Sequence, residues 1–180
     1  MEKVIVAGFG GQGVLSLGQM LAYAAMYENM AATWLPSYGP EMRGGTANCS
    51  VVLDEKEVAS PIIAVPDCLI AMNTPSLYKF QDKVRPGGLV IINSSLISEK
   101  CSRDDVKAYY VEANRIAHEV GNDKASNLVI LGAYIKLSGV FPKQVMMDTI
   151  AKVFAAKPQF IPSNQACFEA GYNLFLGRAI

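Results

Sequence analysis

The chain has 180 residues, 51% hydrophobic and 18% charged, with 16 Lys+Arg against 16 Asp+Glu and so no net charge. That length supports one domain, residues 1–180, with a core that needs neither metal nor disulfide, and the balanced charge excludes the basic footprint of a nucleic-acid binder. Soluble chains average about 25% charged residues, so the apolar surplus predicts contact with another subunit, while no apolar run approaches the roughly 18 residues that cross a bilayer.

Met1-Glu2-Lys3-Val4 leads directly into a strand, without a signal-peptide cleavage pattern, and predicts a cytoplasmic protein. Lys3-Val4-Ile5-Val6-Ala7 is β-branched, apolar and too short for an ordinary helix, and Gly8-Phe9-Gly10-Gly11-Gln12-Gly13 follows at once. This order reads as a buried strand ending in a tight glycine turn. From Val14 the period changes, with Val14, Leu17, Gly18, Leu21 and Ala25 recurring at helical spacing.

Gly8, Gly10 and Gly13 satisfy G-x-G-x-x-G between strand and helix, where missing Cβ atoms permit close approach and free N–H groups at the helix start attract an anion. Gly8, Gly10, Gly11, Gln12 and Gly13 are the candidate cofactor contacts. The competing reading is that the glycines serve tight helix–strand packing alone. Nicotinamide is not expected, because Rossmann domains carry an acid about 20 residues further on, at the tip of the second strand, and the second strand here, Ala31-Ala32-Thr33-Trp34-Leu35, ends in Pro36-Ser37.

Ser37-Tyr38-Gly39-Pro40-Glu41-Met42-Arg43-Gly44-Gly45 is a loop by its proline and glycines, and its Tyr, Glu, Met and Arg equip it to touch something. A guanidinium at Arg43, beside two glycines, can reach a carboxylate, a phosphate or a partner's backbone; an ion pair with Glu41 is the internal alternative. Residues 46–53 alternate as a strand with one face more polar than the other. The charged turn Asp54-Glu55-Lys56-Glu57 and the return Val58-Ala59-Ser60-Pro61 predict an antiparallel hairpin at a sheet edge.

Cys68-Leu69-Ile70-Ala71-Met72 and Leu89-Val90-Ile91-Ile92 are fully apolar strands, separated by an Asn73-Thr74-Pro75 cap and a helix over residues 76–84. Residues 106–111 predict a sixth strand and 113–120 the helix after it. Continuous apolar strands alternating with helices mean a Rossmann-like α/β fold, its sheet mainly parallel and covered on both faces. Beyond Gly121 only helices are expected: Ser126-Asn127 capping 128–137, which is apolar almost all round, then 142–154 and 164–176.

Cys49, Cys68, Cys101 and Cys167 form no C-x-x-C pair and no ferredoxin-type run, and read as reduced, small hydrophobes. The single histidine, His118, sits between Glu112 and Glu119 on what reads as a solvated helix face. No metal site and no catalytic residue is expected in this chain.

The glycine loop, the loop from Ser37 to Gly45 and the helix start Asn127-Leu128-Val129-Ile130-Leu131-Gly132-Ala133, in this order, resemble the gamma subunit of 2-oxoacid:ferredoxin oxidoreductases. That family includes the pyruvate, 2-oxoisovalerate and 2-oxoglutarate enzymes of anaerobes and related indolepyruvate enzymes. The resemblance runs from Val4 to about Gly139 and more loosely to the end. It implies a complex that oxidatively decarboxylates a 2-oxoacid on thiamine diphosphate and magnesium, passes electrons through iron–sulfur clusters to ferredoxin and releases an acyl-coenzyme A. Alpha and beta subunits, and a delta subunit where present, would carry those groups. The chain contains no Gly-Asp-Gly followed by paired asparagines of the kind that holds thiamine diphosphate. For this chain the resemblance implies packing against alpha and beta near the active site and a contribution to coenzyme A binding. The alternative is a free-standing α/β domain that binds a nucleotide or phosphorylated ligand.

Overall fold

A computed structural model describes residues 1–39 and 46–177. Its six strands are β1 (Glu2–Phe9), β2 (Ala31–Tyr38), β3 (Thr46–Asp54), β4 (Cys68–Ala71), β5 (Leu89–Asn93) and β6 (Lys107–Val111), joined in one sheet of order β2-β3-β1-β4-β5-β6. β1, β4, β5 and β6 pair in parallel; β3 runs antiparallel to both of its neighbours. Six helices are described: α1 (Val14–Tyr27), α2 (Thr74–Phe80), α3 (Ala113–Val120), α4 (Ser126–Ser138), α5 (Lys143–Val153) and α6 (Ile161–Asn173). The mainly parallel α/β sheet, the antiparallel hairpin at one edge and the helical C-terminal part are all present.

The hairpin is built from other residues than expected. Residues 58–61 form no strand, and β3 pairs instead with β2 on one side and β1 on the other. The reason lies in burial. Ala47, Cys49, Val51, Val52 and Leu53 are all at most 6% exposed, which suits an inner strand better than an edge, and the segment after the charged turn carries Pro61 and Pro66, which cannot donate to a ladder. β2 takes the edge, and Pro36 fits there. The Gly39 N–H donates to the Thr46 carbonyl at 2.8 Å; because hydrogen-bonded pairs alternate along an antiparallel ladder, the nitrogen of Pro36 faces the free edge, where no donor is needed.

Period-two alternation divides the core. Val4 and Val6 face a large cluster formed with α1, α3, α4, α5 and α6, whereas Ile5 and Ala7 face a smaller one closed by Leu77 and Phe80 of α2 with Val84 and Ile97. Helices cover both faces, unequally. α4 is buried along almost its whole length, Lys136 and Ser138 excepted, as its all-round apolarity requires. It lies close against α6, where Cβ atoms on Gly132 and Gly171 would run into the Phe168 and Val129 carbonyls.

Candidate functional site

The strand order reverses at β1, and the loops that follow the parallel strands gather at the carboxyl end of the sheet. The glycine loop occupies the centre of that end. Gly8 closes β1: a Cβ there would press on Met72 Cβ at 2.8 Å and Val14 Cγ2 at 2.9 Å, so this glycine permits strand, loop and helix to converge. Gln12 turns inward. Its Oε1 accepts the Phe9 N–H at 2.7 Å and its Nε2 donates to the Met72 carbonyl at 3.1 Å, tying the loop to the end of β4.

Gly13 is the N-cap of α1, with φ 73 in the left-handed region. A Cβ on it would stand 2.6 Å from Asn127 Cγ, whose Nδ2 donates to the Gly13 carbonyl at 3.2 Å. Asn127 is thus no cap for α4, whose N-cap is Ala125 and which has no side-chain cap. It holds the glycine loop to the helical part across more than a hundred residues of chain. Periodicity could not reveal this, because Asn at a helix start reads as a cap unless the tertiary neighbour is known.

α1 begins with no side-chain cap and no acid in its first turn. Its first N–H groups have no intrahelical partner, and the residues that carry them, Val14, Leu15 and Ser16, line a cleft of about 370 Å³ together with Phe9, Gly10, Gly11 and Gly13. Tyr38, Thr46 and Ala47 form its opposite wall. The cleft therefore lies between the glycine loop and the root of the hairpin, and the two motifs that are separate in sequence share it. The register explains the meeting: Gly8 pairs with Ala47, Phe9 with Thr46, and Tyr38 with Ala47. Ser37, Tyr38 and Gly39 carry β2 to this rim, and Tyr38 is 55% exposed there. Pro40, Glu41, Met42, Arg43, Gly44 and Gly45 lie outside the described residues. Chemically, helix N–H groups, an exposed glycine backbone and two aromatic rings, Phe9 and Tyr38, can receive an anion attached to an organic body.

The cysteines stand apart from this cleft. Burial pushes the Cys49 thiol up to about 12 and holds Cys68 and Cys167 above the usual thiol range, so these three are neutral at physiological pH and unreactive. His118 is exposed, with Nδ1 2.7 Å from Asp123 Oδ1; Glu112 and Glu119 bind Arg115 instead. Among the described residues no helix is long and apolar enough to cross a membrane.

Residues 3–174 match the family model described as pyruvate ferredoxin/flavodoxin oxidoreductase. The ketoisovalerate oxidoreductase subunit VorA of Methanothermobacter thermautotrophicus is 42% identical over 170 residues, covering 94% of this chain but 35% of that relative, so the chain spans about a third of its length. The 2-oxoglutarate synthase subunit KorC of Methanocaldococcus jannaschii is 32% identical over 180 residues, covering 96% of this chain and 93% of the relative. Among solved structures, the gamma subunit of a keto/oxoacid ferredoxin oxidoreductase from Geobacter sulfurreducens superposes with a TM-score of 0.80 at 26% identity, over 96% of this chain and 97% of that one.

Proposed function

The chain belongs to the pyruvate ferredoxin/flavodoxin oxidoreductase family, and from that premise we propose that residues 1–180 form a single domain serving as the gamma-type subunit of a multisubunit 2-oxoacid:ferredoxin oxidoreductase. The complex decarboxylates a 2-oxoacid oxidatively, reduces ferredoxin in the cytoplasm and releases the acyl group as a coenzyme A thioester. The observation that carries this reading is the match over nearly the full length of both this chain and a small stand-alone subunit of a 2-oxoacid enzyme.

Within the complex this chain assembles with alpha and beta subunits, and with a delta subunit where one exists. Thiamine diphosphate, magnesium and the iron–sulfur clusters belong to those partners. Three buried, protonated thiols at separate positions support that division, since a cluster needs converging thiolates. The cleft between the glycine loop and the hairpin meets coenzyme A. Its uncapped helix N-terminus fits a phosphate of that molecule, and the Arg43 guanidinium binds a phosphate of coenzyme A or a partner's carboxylate. Substrate choice among 2-oxoacids rests with the partner subunits.

The test is reconstitution. The purified chain alone should show neither visible iron–sulfur absorption nor dye-linked oxidation of any 2-oxoacid, and activity should appear on mixing with alpha and beta partners captured from the native host. Turnover by the isolated chain, or a host pull-down that returns it without thiamine diphosphate- and iron-carrying proteins, contradicts the proposal.

A further inference from the structure

On its other flank the glycine loop borders a second crevice, of about 420 Å³, which Gly11, Met72, Leu96, Asn114, Lys124 and Ser126 help to line. It lies where the chain leaves β1 toward β3 and β2 but leaves β4 toward β5 and β6, the reversal at which open α/β sheets place ligands. The crevice shares only Gly11 with the cleft assigned above to coenzyme A.

Two features mark it as a seat for an anion. Ser126, the first residue of α4, is 7% exposed, and its hydroxyl has no hydrogen-bond partner among the described residues, although the residue lines the crevice. The oxygen is not fully enclosed, unlike the buried unpaired atoms of Thr33, Trp34 and Asn73, so it opens onto the crevice. The N-terminus it opens belongs to a 13-residue helix with no side-chain cap and no acid in its first turn, so that end carries unpaired N–H groups and the positive pole of the helix dipole. The neighbouring α3 is different. Asn93 Oδ1 accepts the Ala113 N–H at 3.3 Å, and Ser95 Oγ accepts the Asn114 N–H at 3.1 Å and that of Arg115 at 3.3 Å. Lys124 is exposed and enters no ion pair among the described residues. Asp123 also lines the crevice, with its carboxylate engaged by His118 and both side chains more than 70% exposed, at 73% and 78%.

We infer that this crevice binds the phosphate group of a small phosphorylated molecule, seated at the start of α4 between the Ser126 hydroxyl and the Lys124 ammonium, with the organic part against Leu96. Leu96 is 50% exposed, and the crevice is larger than a phosphate needs. The assignment is independent of the coenzyme A reading, because it rests on other residues.

The test titrates the full-length, 15N-labelled chain with AMP and, separately, with inorganic phosphate, following backbone amides by NMR. AMP should produce saturable shifts at Lys124, Ser126 and Asn127 and bind more tightly than phosphate. Ser126→Ala and Lys124→Gln should each weaken AMP about tenfold or more, as expected for loss of one bond to a charged group, and Lys124→Gln should leave the melting temperature unchanged. Shifts confined to Val14, Leu15 and Ser16, AMP affinity untouched by both substitutions, or AMP binding no tighter than phosphate would each overturn the inference.

Discussion

Gly13→Ala isolates the geometry on which the glycine loop depends. The substitution acts twice. At φ 73 an alanine pays about 1–2 kcal/mol for the left-handed conformation, and its Cβ enters space 2.6 Å from Asn127 Cγ and 2.9 Å from Asn127 Cβ, where overpacking costs about 1–3 kcal/mol. A stiffer unfolded chain returns about 0.4–1 kcal/mol. The net loss is about 1–5 kcal/mol, a fall in melting temperature of about 2–20 °C for a chain of this size. Thermal and urea unfolding by circular dichroism measure it directly. The second half of the experiment repeats the change in an Asn127→Ala background. There the amide is gone, the remaining conflict is between two Cβ atoms, and Gly13→Ala should cost about 1 kcal/mol less than in the parent. Equal costs in the two backgrounds, within about 0.3–0.5 kcal/mol, would mean that the side chains do not meet, and the account of Asn127 as the tie between loop and α4 would fall.

Gly171→Ala places a Cβ against the Val129 carbonyl of α4, so α4 and α6 must separate at a loss of about 1–3 kcal/mol or more; an unchanged denaturation midpoint would show that the helices do not approach so closely. Burial first, and the neighbouring Asp67 second, raise the carboxyl of Glu2 above its ordinary value, with Tyr134 and Arg85 opposing. The folded chain therefore favours the protonated form, and stability from this group is full below the unfolded pKa and is lost as pH rises through the folded one. Glu2→Gln should match the parent near about pH 4 and exceed it in melting temperature at neutral pH. A deficit of equal size at both pH values would instead assign Glu2 a purely hydrogen-bonding role toward Tyr134. Arg43→Lys keeps the charge and loses the two-pronged geometry; it should leave the melting temperature of the free subunit unchanged while weakening assembly or raising KM for coenzyme A, and the reverse pattern would make Arg43 an internal structural residue.

The elements themselves were legible without coordinates. Val4, Ile5 and Val6 can only be a buried strand at that length, Gly8 to Gly13 can only be a turn before a helix, and α4, apolar on every side, had to be enclosed. Such features depend on local sterics and on period, which a linear string records completely. The three motifs that carried the family resemblance, the glycine loop, the loop from Ser37 to Gly45 and the helix start at Asn127, were likewise visible, because each is a local run of residues.

What required the tertiary structure was every relation between elements distant in the chain. The charged turn at residues 54–57 suggested a return strand, but pairing is decided by which edge can bury both faces of β3, and β1 and β2 offered that where a segment holding Pro61 and Pro66 could not. Asn127 reads as a cap in any local window; only the folded chain brings its amide to the Gly13 carbonyl. The shared cleft of the glycine loop and the hairpin, and the unpartnered Ser126 hydroxyl on the other flank, come from strand order, since helix N-termini converge at one end of the sheet only after the order β2-β3-β1-β4-β5-β6 has formed. Sequence sets local conformation through short-range sterics, but the assembly of these sites depends on long-range pairing and burial, a competition among many candidate partners that no single segment decides.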